Sequence, residues 1–418
     1  MLYKRHDAAG KRFHKFEKIW ENKKNDFTKD EKSDIINRKK LLIGRPRFEE
    51  GFAKETFFPL IALALLLTGA GLIFIYSATQ SAESVRKIAV QALAAVLGIG
   101  LMLALSFVDY RVYKSYATHI YIASLAVLIF VLIFGSGREE TGANSWIRFG
   151  GIGIQPSELI KIAFAVVFAY KLSAAKEAGK LNDIKEVLKL TAFYAGITGL
   201  VILQNDTGTA LVFTFMFAAM FFVAGISMKY VLSALGTACL LLPLSWLVMA
   251  PYQRNRIMVF FNPELDPTGA GYQVLQSKIA IGSGELLGRG YLNGPQNQLS
   301  LLPEKETDFI FGVIGEEFGF LGCAIVVILL FLLVLRVFGI SKTAKDDAGS
   351  LICVGLGAML LFHVVENVCM CLGLLPVTGI PLPFLSYGGS SLVTNFLAIG
   401  LVLNVHNVSK ELSFNKYD

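Results

Sequence analysis

The fold prediction depends most on residues 302–311, which read Leu302-Pro303-Glu304-Lys305-Glu306-Thr307-Asp308-Phe309-Ile310-Phe311. Here a long polar segment, residues 251–307, gives way to a long apolar run. The rest of the chain is mostly a string of such runs, and a helix needs about 20 mostly apolar residues to cross a bilayer. Asp308 is therefore predicted to lie where water meets the membrane, at the start of a spanning helix. We take its carboxylate as the candidate centre of the functional site.

The composition is typical of a membrane protein. Of the 418 residues, 54% are hydrophobic and only 17% are charged, whereas soluble domains carry about 25% charge. The runs predicted to span the membrane are 57–77, 88–108, 117–135, 158–175, 188–204, 208–227, 229–250, 308–338, 350–373 and 390–408. We therefore predict an all-α membrane protein, a bundle of ten transmembrane helices over residues 57–408. A large extracytoplasmic loop, residues 251–307, would separate helices seven and eight.

The two ends of the chain are predicted to be polar tails. Residues 1–56 hold 16 Lys/Arg and 10 Asp/Glu, and their low apolar content predicts a disordered or membrane-apposed cytoplasmic segment. Nucleic-acid binding is an alternative for a basic tail, but the interspersed acids argue against it. The first apolar run begins near Phe57, too late for a cleavable signal peptide. Residues 409–418 are predicted to be a cytoplasmic C-terminal tail.

The basic residues predict that both termini lie in the cytoplasm. With the N-terminus inside, 29 of the 39 Lys and Arg residues fall on the cytoplasmic side, 16 of them in the tail. Nine fall outside, five of them in residues 251–307, a loop almost long enough for the positive-inside rule to lose its force. Arg86 and Lys87, in the first outer loop, oppose the rule. This orientation places residues 136–157, 251–307 and 374–389 outside.

Four ionisable residues are predicted near that outer surface. Glu158 and Lys161 begin the fourth span three residues apart, on one helix face, Asp206 separates the fifth and sixth spans, and Asp308 begins the eighth. Charges inside spans are costly and often mark function. The alternative is structural: an ion pair between Glu158 and Lys161, and a helix cap at Asp206.

Two further groups could bear on function. Trp146, Arg148, Lys278 and Arg289 could hold the phosphates of a lipid carrier, because Arg suits phosphate geometry. Glu316 and Glu317 are either buried structural acids paired with His363 or Glu366, or part of the proton relay of a transporter.

Four segments, residues 146–161, 204–210, 262–321 and 373–395, resemble in order and spacing the SEDS family (shape, elongation, division and sporulation). These are ten-span bacterial enzymes that polymerise peptidoglycan strands. The resemblance covers residues 57–408. Residues 276–284, Gln-Ser-Lys-Ile-Ala-Ile-Gly-Ser-Gly, make the chain look more like the elongation (RodA-type) branch than the division (FtsW-type) branch.

The resemblance implies a substrate and partners. The donor would be lipid II, which extends a nascent glycan strand through β-1,4 bonds at the outer face of the bacterial cytoplasmic (inner) membrane. The partners would be a class B penicillin-binding protein (a transpeptidase), the elongation machinery and membrane lipid, with no nucleic acid. A divalent cation, Mg²⁺ or Mn²⁺, would support activity, with no organic cofactor.

The resemblance also implies site residues. The essential acid of the family falls on Asp308, which we predict to be the general base for the attacking sugar hydroxyl. Arg148 and Lys161 would stabilise charge on the leaving group. The predicted substrate-binding residues are Trp146, Arg148, Glu158, Lys161, Asp206, Tyr272, Gln276, Lys278, Gln298, Glu304 and Ser386.

The chain departs from the family pattern at three places. Glu285 replaces a usual glycine, Asn205-Asp206-Thr207 replaces Pro-Asp-Leu, and Glu306 replaces a usual histidine. Glu306 adds negative charge two residues from Asp308 and is expected to raise the pKa of that carboxyl. Three alternatives remain: a division-type polymerase, a scaffold for a partner, and a lipid II flippase. The flippase would use an outer cavity formed at these site residues together with Glu316, Glu317, His363 and Glu366.

Overall fold

The structure, a computed structural model, describes residues 57–79, 84–137, 143–149, 152–249 and 251–414. The predicted N-terminal tail lies outside these residues. The first six helices are α1 (Phe57–Ala78), α2 (Ser84–Phe107), α3 (Tyr113–Phe134), α4 (Pro156–Glu177), α5 (Ile184–Leu203) and α6 (Thr207–Ala224). The others are α7 (Met228–Val248), α8 (Pro251–Phe261), α9 (Ala270–Ser283), α10 (Pro295–Gln298), α11 (Ile310–Thr343), α12 (Asp347–Cys371) and α13 (Gly389–Phe414).

The predicted all-α membrane bundle is confirmed. Among the described residues, eight stretches are long and apolar enough to cross a membrane, and they correspond to α1, α2, α3, α5, α6, α11, α12 and α13. The other two predicted spans are also helical, as α4 and α7. In α4, Glu158, Lys161 and Lys171 interrupt the apolar sequence. The count of ten spans stays a prediction.

The helices α12 and α13 form the interior of the bundle. Among the stretches long enough to span, these two have the largest buried share. α12 packs against α4, α6, α11 and α13, so side chains on several of its faces meet neighbouring helices. α13 lies along α2, and the helices come close at Gly98 and Gly400. A Cβ on Gly98 would lie 2.6 Å from a ring carbon of Phe396, and one on Gly400 would lie 2.6 Å from the Met102 carbonyl oxygen. Small residues allow such close approach of helices in a membrane.

The segment predicted as a large outer loop, residues 251–307, is largely helical. It contains α8, a 3₁₀ turn at Pro263–Leu265, α9 and the single turn α10. α9 packs against α11, where a Cβ on Gly284 would lie only 1.9 Å from the Gly315 carbonyl oxygen. The helical loop therefore rests directly on the eighth predicted span.

That eighth span, α11, is broken near its start. Gly319 has φ 64° and ψ −162°, outside helical geometry. At this break the amides of Phe320 and Leu321 donate to the carbonyls of Glu285 and Leu286, at 2.9 and 3.1 Å. Carbonyl groups of the loop thus accept hydrogen bonds from helix amides at the break in α11. Glu285 itself has a φ of 49°, the left-handed region that favours glycine.

A short antiparallel hairpin, β1 (Ile147–Phe149) and β2 (Ile152–Ile154), precedes α4. The Asn144 amide nitrogen donates to the Gln204 carbonyl at 2.9 Å. The Gln204 side chain in turn donates to the Leu128 carbonyl at 2.8 Å. Asn144, in the predicted outer segment, is thus fixed to the turn between α5 and α6.

Candidate active site

The first component of the site is a buried ion pair on α4. Lys161 Nζ lies 2.7 Å from Glu158 Oε1, with side chains 1% and 5% exposed. It also lies 3.0 Å from His363 Nε2 on α12. Buried charges are tolerated when they are paired and hydrogen-bonded, and this lysine has both kinds of partner. The geometry supports a structural link between α4 and α12 and does not present Lys161 to a phosphate group.

Asp206 caps the N-terminus of α6. Its Oδ1 accepts from the Thr209 amide at 3.1 Å, and its Oδ2 accepts from Gln155 Nε2 at 2.8 Å. Burial raises the pKa of the Asp206 carboxyl, while the Thr209 and Gln155 hydrogen bonds and the charge of Lys161 oppose that rise. Asn205 before it holds a φ of 63°. Both carboxylate oxygens are engaged in these contacts, which favours the cap over a catalytic role.

Asp308 has a backbone held in place and a free carboxylate. Its carbonyl oxygen accepts from Asn367 Nδ2 of α12 at 2.7 Å. The same amide nitrogen donates to the Ile380 carbonyl at 2.8 Å, so Asn367 joins the start of α11 to residues 376–381. A Cβ on Gly379 would lie 3.5 Å from Asp308 Oδ2. Within the described part of the chain, the carboxylate has no hydrogen-bond or ion-pair partner.

Asp308 is poised to titrate near neutral pH. Burial, with a contribution from the negative charge of Glu304, raises the pKa of the Asp308 carboxyl to about 7, and the positive charge of Arg256 opposes that rise. The best general bases have a pKa close to the working pH, because they are then both ionised and basic. The carboxylate combines such a pKa with oxygens that have no hydrogen-bond or ion-pair partner among the described residues, which suits proton abstraction.

Glu306 is not the group that perturbs Asp308. The expectation that it raises the pKa of Asp308 was wrong, since that pKa is raised by burial and by the negative charge of Glu304, against the positive charge of Arg256. Glu306 Oε1 lies 2.5 Å from Lys87 Nζ of α2, which balances its charge. Its carbonyl also accepts from the Tyr387 amide at 2.8 Å. This pairing gives Lys87, which opposed the positive-inside rule, a local counter-charge.

α12 carries two site residues that the sequence argument did not assign to the site. Asn367 and Glu366 follow His363 by one helical turn, and both are buried. Thr378 donates to Glu366 Oε1. Polar groups inside an apolar span are costly and tend to be functional. That signal was available for Asn367, whereas Glu366 was considered as a partner of Glu316 and Glu317 and as part of the transporter alternative.

Glu316 and Glu317 are structural acids with different partners from those expected. Glu316 accepts from the backbone amides of Gln296 and Asn297 at 2.7 and 3.0 Å, at the start of α10. Glu317 Oε1 accepts from Ser77 Oγ of α1 at 2.5 Å and from Asn297 Nδ2 at 2.8 Å. The predicted pairing with His363 or Glu366 was wrong, because both acids are directed to the outer helices α1 and α10.

Some of the remaining predicted site residues lie outside the helices of the 251–307 loop, and the others lie on those helices. Trp146, in a bridge to Ser136, lies 3.1 Å from where a Cβ on Gly153 would be. Arg148 is exposed on β1, opposite Gly153. The Ser386 hydroxyl accepts from the Leu382 amide at 2.9 Å, which stabilises a turn. The others lie in the loop helices: Tyr272, Gln276 and Lys278 on α9, and Gln298 at the end of α10.

Lys278 lines a cavity of about 210 Å³ between α8, α9 and residues 373–377. Arg256 of α8, which was not among the predicted site residues, also lines it. Arg289, by contrast, is exposed near the break in α11, where its amide donates to the Glu316 carbonyl at 2.9 Å. The cationic side chains grouped in the sequence argument are thus divided between separate places.

Comparison with known proteins agrees with this architecture. The family model described as "Cell cycle protein" (FtsW, RodA and SpoVE) matches residues 58–411. The chain is 37% identical to the peptidoglycan glycosyltransferase MrdB of Escherichia coli (strain K12) over 355 residues, 85% of this chain and 94% of that protein. It is also 37% identical to the probable peptidoglycan glycosyltransferase FtsW of Geobacter metallireducens, over 83% of this chain and 93% of that protein.

Two solved structures share the fold. A chain of the structure described as "Structural coordination of polymerization and crosslinking by a peptidoglycan synthase complex" aligns with a TM-score of 0.73 and 32% identity, covering 85% of this chain and 99% of that one. The crystal structure of the Thermus thermophilus rod shape determining protein RodA aligns with a TM-score of 0.64 and 27% identity, covering 85% and 97%.

The helical bundle and its acidic site thus define a polytopic membrane protein of the SEDS class. The chain belongs to the FtsW, RodA and SpoVE family of cell cycle proteins.

Proposed function

We propose that this chain is a peptidoglycan glycosyltransferase that polymerises lipid II into β-1,4-linked glycan strands at the outer face of the bacterial cytoplasmic membrane. Its relatives MrdB and RodA carry the glycosyltransferase name. The observation that carries the proposal is Asp308: a carboxylate with a pKa raised to about 7, a backbone held by Asn367 and no side-chain partner among the described residues. The sequence of residues 276–284 favours a role in elongation, and a division role remains the alternative.

The reaction needs one proton acceptor and one stabilised leaving group. A sugar hydroxyl oxygen attacks the anomeric carbon of the sugar that carries the lipid diphosphate, and a new C–O bond forms. The bond from that carbon to the diphosphate oxygen breaks, and the electron pair leaves with the diphosphate. Asp308 takes the hydroxyl proton as the general base. It then returns the proton to solvent, so the enzyme is regenerated unchanged.

A divalent cation, Mg²⁺ or Mn²⁺, is part of the proposal as a companion of the substrate. In the described residues, no group of three or more His, Cys, Asp or Glu side chains could hold a metal ion. Mg²⁺ commonly keeps several waters and binds through substrate phosphates with only one or two carboxylates. The residues present thus fit a cation that arrives with the diphosphate better than a dedicated protein site. Such a cation would neutralise charge on the leaving group.

The proposal includes a partner and a location. A class B transpeptidase would cross-link the emerging strand, in keeping with the coordinated polymerisation and crosslinking described for one structural neighbour. The chain would lie in the inner membrane with both termini in the cytoplasm, and Asp308 would face outward. The excess of Lys and Arg in the predicted inner segments supports this orientation.

The direct test is polymer formation from lipid II by the purified protein in detergent. We expect the wild type to make glycan polymer and Asp308→Asn to make none while unfolding at a similar or higher temperature. Asp347→Asn is the matched control and should leave polymerisation unchanged. Asp347 pairs with Lys176 at an exposed position and begins α12, whereas Asn367, which contacts Asp308, lies near the other end of that helix. Normal polymerisation by Asp308→Asn would rule out the base assignment. Detergent has no two sides, so polymer formed there also separates the enzyme from a flippase.

A further inference from the structure

The cavity between α8 and α9 is lined by two cationic side chains, Arg256 and Lys278. No Asp or Glu among the described residues lines it. Neither side chain has a hydrogen-bond or ion-pair partner among the residues that the structure describes. Arg256 is partly buried. Two like charges facing one space repel each other, and an anion bound between them would relieve that repulsion.

The rest of the cavity wall is apolar. Val259, Phe260, Val274 and Val377 line it, and exposed Leu375 lies at the same wall. A cavity lined by apolar groups with a few convergent polar groups is typical of a ligand site. The ligand that matches two cations and an apolar wall is an amphipathic anion, a phosphate group on a lipid chain.

The cavity is large enough for a diphosphate. It holds about 210 Å³, many times the roughly 10–15 Å³ that a cavity needs to hold one water molecule. The Lys278 stem supports this shape, since its Cδ would lie 3.0 Å from a Cβ on Gly373. Gly373 has a φ of 70°, so a small residue there leaves room for the lysine.

The cavity is next to the proposed base. Val377 lines the cavity, and Gly379 lies beside Asp308 Oδ2. Two residues of chain span at most about 7 Å, so the two places are close. Arg256 also acts electrostatically on Asp308, whose pKa it lowers. A leaving group held at Arg256 would thus lie close to the proposed base.

We propose that Arg256 and Lys278 bind the diphosphate of the lipid-linked substrate in this cavity, with the lipid chain directed along the apolar wall toward the bilayer. Arg256 supplies the planar fork that binds phosphate oxygens in pairs, and Lys278 supplies a point charge. The inference rests on the proposed function and names the residues that take the leaving group. It transfers this role from Arg148 and Lys161, which lie outside the cavity lining.

The experiment measures binding of farnesyl diphosphate to the full-length protein in detergent, with farnesyl monophosphate and farnesol as comparison probes. We expect the diphosphate to bind best and Arg256→Gln and Lys278→Met each to weaken its binding about tenfold or more, as for loss of a charged hydrogen bond. Methionine keeps an unbranched apolar stem against Gly373. Arg254→Gln is the matched control, because Arg254 lies on the same helix but contacts the Leu247 carbonyl and the Trp246 ring.

Competition by phospholipid distinguishes the two sources of phosphate. Phosphatidylglycerol and phosphatidylcholine are added in equal amounts, and we expect neither to displace farnesyl diphosphate. Displacement by phosphatidylglycerol alone would mean that the cavity holds a phospholipid headgroup, which overturns the inference. Unchanged binding in both variants, with normal thermal unfolding, would also overturn it.

Polymerisation of lipid II by the same samples separates this inference from the proposed function. If both variants polymerise lipid II as well as the wild type, the inferred diphosphate site is wrong and the proposed polymerase function is unaffected. Absence of wild-type polymer, together with diphosphate binding that depends on Arg256, would sink the polymerase function and leave the binding site standing.

Discussion

The pH dependence of polymerisation tests the role of Asp308 most sharply. Burial and Glu304 raise the pKa of its carboxyl from 3.8 to about 7. A general base works only in its ionised form, so the ionised fraction is about nine-tenths at pH 8 and about one-tenth at pH 6, and kcat/KM falls about tenfold between them. An aspartate with its ordinary pKa would be ionised throughout that range and would give a flat profile.

Two substitutions should move the midpoint in opposite directions. Glu304→Gln removes a negative charge that raises the pKa of Asp308, so the midpoint moves to lower pH. Arg256→Gln removes a positive charge that lowers it, so the midpoint moves to higher pH. Because burial is the largest cause, the midpoint in Glu304→Gln should still lie above the usual range of an aspartate.

The assay is the initial rate of polymer formation at limiting lipid II, in detergent at constant ionic strength, between about pH 5.5 and 9. Glu264→Gln is the control, because Glu264 is exposed in the same loop and does not act on the pKa of Asp308. A flat wild-type profile between pH 6 and 8 would refute the reasoning. Midpoint shifts of the same sign in Glu304→Gln and Arg256→Gln would also refute it. Opposite shifts identify Asp308 as the titrating group, because titration of the substrate would not produce them.

Two further predictions concern the packing of the loop against α11. Glu285 holds a φ of 49° at an exposed position, and a left-handed residue other than glycine costs about 1–2 kcal/mol. Glu285→Gly should therefore raise the thermal unfolding midpoint. Glu285→Ala removes the charge but keeps the backbone strain, so it should not raise the midpoint. Equal midpoints in the two variants would show that Glu285 is not strained. Gly319 combines a φ of 64° with a Cβ position 2.4 Å from the Gly288 amide nitrogen, so Gly319→Ala should cost more than about 2 kcal/mol of unfolding free energy. Gly339→Ala in the same helix, where a Cβ meets nothing within 4 Å, should instead stabilise by up to about 1 kcal/mol, and similar melting of the two alanine variants would show that the break in α11 is not required.

The sequence predicted the helices well because their lengths are set by the bilayer. Each span needs a run of about 20 apolar residues, and within the described residues each of the ten predicted runs coincides with a helix. The position of Asp308 followed from the same pattern, since it lies where a polar segment becomes an apolar one. The buried pair of Glu158 and Lys161 was also predictable, because residues three apart share a helix face.

The partners across helices could not be predicted in this way. A helix in a membrane is apolar nearly all round, so no polar stripe reveals which face meets which neighbour. Only tertiary packing brings His363 to Lys161, 202 residues earlier, Asn367 to the Asp308 carbonyl, and Lys87 to Glu306, 219 residues later. For the same reason, the choice of Glu304 and Arg256 as the charges that act on Asp308 was decided by the fold.

The cavity is likewise a product of the tertiary structure. Arg256, Lys278 and Val377 lie on three separate segments, and the sequence alone grouped Lys278 with Arg148 and Arg289 by charge. Spacing along the chain carries information about one helix at a time. A binding site formed between helices depends on how they pack, which is set by shape and by close contacts such as that of Gly284 with Gly315. The sequence thus determined the membrane architecture and the candidate base, and the tertiary structure determined what surrounds that base.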